Sequence, residues 1–121
     1  MAVRTYRDLE IWQEGVRFTL AVYKVTANFP KQEQFGLTSQ LQRAAVSIPS
    51  NIAEGHVQAS DAVFARHLQI AIGSAAEIDT QLLIAQQLGY LDLETMKALR
   101  EQTQVLIRRM NTLHKTVSQT K

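Results

Sequence analysis

FGLTSQLQRAAVSIPSNIAEG, residues 35–55, is the stretch on which the fold turns. From Leu37 onward it reads as a helix, yet Pro49 lies in its interior. Proline has no amide proton, and its ring clashes with the carbonyl four residues back, here that of Ala45, at a cost of about 3 kcal/mol unless the helix bends. The reading is therefore a helix kinked at Pro49, with a complete break at Ile48 as the alternative. Arg43, Ser47, Asn51 and Glu54 are spaced by four, four and three, so they project from one face. Such a stripe is ordinarily a solvated side. The rival reading is an internal polar network anchored by Arg43, with Glu54, or Glu77 on the next helix, as its counter-ion. Burial of those groups costs stability unless each is paired, but fixes helix register.

Working outward, the scarce helix breakers punctuate the chain. Phe29-Pro30, Gly55-His56 and Gly89-Tyr90 divide it into four pieces of similar length. Helices are expected over about residues 6–28, 37–55, 61–88 and 93–118 of a single domain. Thr5 followed by Asp8 forms a capping box, and Ser60 and Asp92 are N-cap residues. Gly55 and Gly89 stand where helices commonly finish in a left-handed residue. Met96, Leu99, Thr103, Leu106, Met110, Leu113 and Val117 form a bundle seam on the last helix. Phe64, Leu68, Ala71, Ala75, Ile78, Leu82 and Ala85 do so on the third. Around them, small residues between Ile70 and Ala76 allow a neighbouring backbone to come close. The first helix carries two apolar stripes, Leu9, Trp12, Val16, Leu20 and Tyr23, and Ile11, Phe18, Val22 and Val25. One core does not easily cover both, so one stripe is either deeply buried or a subunit interface. The fold class is all-α, an antiparallel up-down-up-down four-helix bundle.

Composition agrees with this class. The 121 residues are 45% hydrophobic and 20% charged, with five Gly, two Pro and no Cys. A chain of this length buries roughly two-thirds of its unfolded surface, so no metal or disulfide is needed to hold it. Without Cys, disulfides, thiolate zinc sites and cysteine catalysis are excluded. Charges in MAVRTYRDLEIW interrupt what would be a signal-peptide core, and no apolar run reaches membrane-span length, so a cytoplasmic protein with no membrane contact is expected.

These residues carry a resemblance. RDLEIWQEGVRFTLAVYKVTANFPKQE, the central stretch quoted above, and HLQIAIGSAAEIDTQLLIAQQLGYL together resemble the four-helix-bundle proteins encoded in intervening sequences of bacterial 23S rRNA genes, over roughly residues 6–91. The order of Leu9, Trp12, Tyr23, Phe29-Pro30, Gln40, Arg43-Ala44, Ser47, Pro49, the run Asn51 to Gly55, Gly73-Ser74 and Glu77 is the family's own. Ile72 departs from it, standing where the family often has a basic residue before the Gly-Ser pair. The resemblance implies a left-handed bundle and a ring-shaped homo-oligomer, a homopentamer as in the related accessory proteins of diversity-generating retroelements. Those relatives are thought to bind nucleic acid and a reverse transcriptase, and no catalytic residues are established for the family.

The net charge of +2 conceals a polarity. Residues 61–101 hold three basic against six acidic residues, whereas residues 102–121 hold Arg108, Arg109, Lys115 and Lys121 against none. The helix dipole accounts for some cations in a last turn. Up-down topology brings the start of the first and third helices beside the end of the fourth, gathering Arg4, Arg7, Arg66 and His67 with Arg108, Arg109, His114 and Lys115. Asp8, Glu10, Glu14 and Asp61 dilute that field. The residues expected to contact RNA or DNA are Arg4, Arg7, Arg66, Arg108, Arg109 and Lys115; the structural set is Arg43, Asn51, Glu54 and Glu77.

Enzyme readings carry little. No Asp or Glu stands three residues before a His, as a bundle di-metal site requires, and the isolated glycines make no phosphate loop. No metal site and no cofactor are expected. Arg109 and His114 have the Arg-x4-His spacing of the HEPN ribonucleases, also all-helical, in which His acts as acid or base. The leading expectation is instead a non-enzymatic, self-associating bundle that binds nucleic acid, or a nucleic-acid enzyme such as a reverse-transcriptase-like protein, through a basic surface. A purely structural or protein-interaction ring is the second.

Overall fold

The computed structural model describes residues 5–119. Four helices, α1 (Glu10–Thr26), α2 (Leu37–Val57), α3 (Asp61–Gln87) and α4 (Leu93–Ser118), account for most of them, and no strand occurs among the described residues. Each helix packs on its chain neighbours and α1 closes on α4, while the diagonal pairs do not meet. Hydrogen bonds fix the alternation of direction. Along α1 and α2, Thr19 pairs with Ala45 and Thr26 with Gln42; along α2 and α3, Gln40 pairs with Gln81 and Asn51 with His67. Rising numbers on one helix meet falling numbers on the next, so the bundle is antiparallel.

Local chemistry sets the boundaries. The capping box of Thr5 and Asp8 is present, but it caps a 3-10 turn at Tyr6–Asp8, and α1 starts only after extended Leu9. Ser60 Oγ accepts the Val63 amide proton and Asp92 Oδ1 that of Thr95, capping α3 and α4. Gly89 has φ +81, a conformation glycine adopts without steric cost. Gly55 has another purpose. α2 runs past it to Val57, and a Cβ at Gly55 would lie 2.7 Å from His67 Cβ and 3.0 Å from Phe64 Cδ1. It is a point of close approach between α2 and α3, not a helix end. In the small-residue stretch of α3, Ala71, Ser74 and Ala75 are buried and Ser74 reaches Ser47 of α2, whereas an added Cβ at Gly73 would meet nothing within 4 Å.

α2 passes through Pro49 without the break at Ile48. The carbonyl of Ala45, which Pro49 cannot serve, receives the Thr19 hydroxyl of α1 at 3.0 Å, shared with Gly15 O at 2.8 Å. Gly15 packs against the ring, where an added Cβ would stand at the ordinary contact distance of 3.4 Å from Pro49 Cβ and Ile48 Cγ2. The polar defect of the proline is met by Thr19 of α1.

The core holds Ile11, Phe18 and Val22 of α1, Leu41, Ile48 and Ile52 of α2, and the α3 and α4 seams, with Phe64 and Leu113 partly covered. Thr103, fully buried in the α4 seam, donates to Leu99 O. The other α1 stripe stays outside. Leu9 and Trp12 are half-covered, while Leu20 is 64% and Tyr23 44% exposed. No helix among the described residues is long and apolar enough to cross a membrane.

Candidate functional site

Two sets of polar side chains lie on this frame. The first zips α2 to α3. Asn51 Nδ2 donates to Ser47 O (2.8 Å) and Ser47 Oγ (2.9 Å), and Ser74 Oγ donates to Ser47 Oγ (2.9 Å). With its amide nitrogen so used, Asn51 presents Oδ1 to His67 Nδ1 at 2.8 Å, which makes Nδ1 the protonated nitrogen of that ring. Further along, Gln81 Nε2 donates to Gln40 Oε1 and Glu77 Oε2, both at 3.3 Å. The network is therefore centred on Ser47 and Asn51. Arg43 anchors none of it: it is exposed and makes no hydrogen bond or ion pair with another described side chain, and Glu54 is likewise exposed. Asn51, Ser74 and Gln81 bond across the seam, whereas Arg43 and Glu54 are exposed.

The second set lies at the end formed by the start of α1, the end of α2, the start of α3 and the end of α4. Arg7, Arg66, Arg108 and Lys115 are exposed there. Arg4 and Lys121 lie outside the described residues. Arg109 differs from its neighbours. It pairs with Glu10 at 3.1 Å and with Glu14, so two carboxylates of α1 hold it across to α4. Its charge is compensated within the chain, which removes it from the set of available cations. His114, five residues on, projects about 140° further round the helix, so Arg109 and His114 do not share a face. Among the described residues no group of three or more His, Asp or Glu is placed to hold a metal ion.

α1 and α4 pack least closely of the neighbouring helices, and a groove opens between them. Its upper part, about 550 Å3, is floored by Phe18, Ala21, Val105 and Leu106 and rimmed by Glu14, Arg17 and Glu101. The lower part lies beside Arg109 and is lined by Leu9, Ile11 and Leu113 with Arg108 and Thr116.

The loop before α2 is pinned. Glu33 Oε1 accepts the Leu37 amide proton at 3.0 Å, and Glu33 Oε2 accepts the Tyr90 hydroxyl at 2.8 Å. The amide bond, with the phenol second, holds the Glu33 carboxyl below its ordinary pKa, and the carboxylate raises that of Tyr90. Asp79 is lowered by the two-pronged Arg100 contact that ties α3 to α4, at 2.8 and 3.1 Å. None of these pairs follows a local sequence pattern.

Comparison with protein families places this architecture. The family described as 23S rRNA-intervening sequence protein matches residues 7–112, which takes in α4 beyond the stretch that carries the resemblance. The chain belongs to that family. A crystal structure of a protein with unknown function from the S23 ribosomal protein family of Bacteroides thetaiotaomicron VPI-5482 has the same fold, with TM-score 0.78 and 23% identity over 87% of this chain and 98% of that one. Functionally curated proteins gave no match. Ile72, the position at which the chain departs from the family pattern expected from the sequence, is partly buried against the core.

Proposed function

We propose that the protein is a non-enzymatic, self-associating bundle that binds nucleic acid, or an enzyme acting on it, through a basic surface. The observation that carries this is electrostatic: Arg108 and Lys115 stand exposed on α4 beyond its last acid, Glu101, at the end to which Arg7 and Arg66 also belong. One copy presents few cations. A ring, a homopentamer as family resemblance implies, presents the same set repeatedly, so weak phosphate contacts combine. Each neutralised phosphate adds a counterion-release contribution. The exposed Leu20 and Tyr23 stripe supports self-association. RNA, DNA and a reverse-transcriptase-like protein are the partners of this reading, and a cytoplasmic setting suits it.

Binding of fluorescent structured RNA and duplex DNA, read by anisotropy, tests it. The Arg108→Gln, Lys115→Gln double variant is expected to bind markedly more weakly, with a shallower salt dependence. Arg109→Gln is expected to leave that dependence nearly unchanged. Absence of binding at low salt, and of nucleic acid in the purified protein, would instead support an interaction ring with no nucleic-acid affinity.

A further inference from the structure

We propose that a cleft between α2 and α3 holds an unpaired guanine base of a single-stranded nucleic acid, an assignment that rests on the nucleic-acid reading above and names what the strand presents. The cleft, about 340 Å3, is lined by Gln40, Arg43, Ala44, Ser47, Ser74 and Glu77. Two bonds across the seam bracket it, Gln40 with Gln81 on one side and Ser47 with Ser74 on the other. Arg43 and Glu77 each stand one turn from both bonds, so they oppose each other across the seam. Both are exposed, and neither has an ion pair among the described residues.

The surrounding bonds leave defined groups for a ligand. Gln81, buried, donates Nε2 to Gln40 Oε1 and to Glu77 Oε2, which leaves Gln40 Nε2 and Glu77 Oε1 open. Ser47 Oγ accepts from Asn51 Nδ2 and from the Ser74 hydroxyl, so one hydroxyl proton of the serine pair is still to be given. The α2 wall therefore offers donors, the Arg43 guanidinium above all, and the α3 wall offers the Glu77 carboxylate. A phosphate carries acceptors alone, and Glu77, with Glu54 exposed one turn beyond Asn51, repels it. Guanine carries two acceptors, O6 and N7, that match the guanidinium fork, and two neighbouring donors, N1–H and the N2 amino group, that match a carboxylate. Among the four bases only guanine has two adjacent donor nitrogens, and an unpaired base exposes both edges at once.

Helix α3 links the cleft to the basic end. Arg66 lies eleven residues before Glu77, on the same face and about 16 Å away along the axis. Between them on that face are Ile70 and Gly73, exposed and uncharged, and a Cβ at Gly73 would meet nothing within 4 Å. A strand whose base sits in the cleft has an open path to a cation.

Anisotropy of labelled short RNAs at low salt, uridine throughout or with one central guanosine, adenosine or cytidine, tests the site. The guanosine strand is expected to bind about tenfold more tightly than the other three. Arg43→Gln and Glu77→Gln, both at exposed positions, are expected to keep the wild-type melting curve and to lose that preference. Inosine, which lacks the N2 amino group, is expected to weaken binding to wild type but not to Glu77→Gln; 7-deazaguanosine, which lacks N7, does the same for wild type but not for Arg43→Gln. Equal affinity for all four strands, or a preference that survives both substitutions, overturns the site while leaving nucleic-acid binding standing. Guanosine monophosphate competing as strongly as the guanosine strand overturns the strand as occupant in favour of a free nucleotide. No binding of any strand overturns both readings.

Discussion

Thr19 and Pro49 illustrate how one residue's defect is another's bond. Pro49 deprives the Ala45 carbonyl of its helical donor, and the Thr19 hydroxyl supplies one from α1. Thr19→Val is therefore expected to cost about 1–2 kcal/mol in urea unfolding, because the carbonyl is left without a partner. In a Pro49→Ala background, where the amide returns, the same change is expected to cost clearly less; an equal cost in both backgrounds would contradict the pairing. The two interior glycines of α2 and α3 make an opposite pair. Gly55→Ala pushes a methyl against His67 and Phe64 and is expected to lose about 1–3 kcal/mol. Gly73→Ala meets open space and is expected to gain up to about 1 kcal/mol through helix propensity. Pro49 was conspicuous in the sequence, but its compensation lay in Thr19, 26 positions before the Ala45 carbonyl that it serves, and no local pattern connects them.

At the scale of elements, acid should act on the loop before α2. The folded-state pKa of Glu33 is depressed, so its contribution is full above the unfolded value near 4.3 and is lost as pH falls through the folded one. Glu33→Gln is expected to show a smaller fall in urea midpoint between pH 7 and pH 3 than wild type; the remaining fall belongs to carboxylates such as Asp79 and Asp92, also depressed. Arg109 holds α1 to α4 from a half-exposed position, so Arg109→Gln is expected to cost only about 0.5–1 kcal/mol and to matter less at high salt. The helices themselves were legible because apolar periodicity, caps and scarce breakers agreed. Ser60, Asp92 and Gly89 act as read; Thr5 caps only the 3-10 turn ahead of α1, and Gly55 ends no helix, since a glycine that ends a helix and one that admits a neighbour look alike in one dimension. The polar stripe of α2 was visible too, but its division into bonded short side chains and solvated Arg43 and Glu54 depends on the distance between helices.

For the whole molecule, the up-down topology sets the cations at the end of α4 beside acids of the other helices, Asp8, Glu10, Glu14, Glu54 and Asp61. Acids concentrate on α3 and the start of α4, while the end of α4 carries cations unopposed along its own length. Of the cations grouped at that end from sequence, Arg109 is withdrawn by Glu10 and Glu14, a pairing 99 residues apart in the chain for the Glu10 contact. The most direct test of the account is the slope of log affinity against log salt for duplex DNA and structured RNA bound to the wild-type protein. With Arg7, Arg66, Arg108 and Lys115 repeated around an assembly, affinity is expected to fall steeply, with a slope of about −4 or steeper on duplex as several phosphates are released at once. A flat slope, or no binding even at low salt, would contradict it.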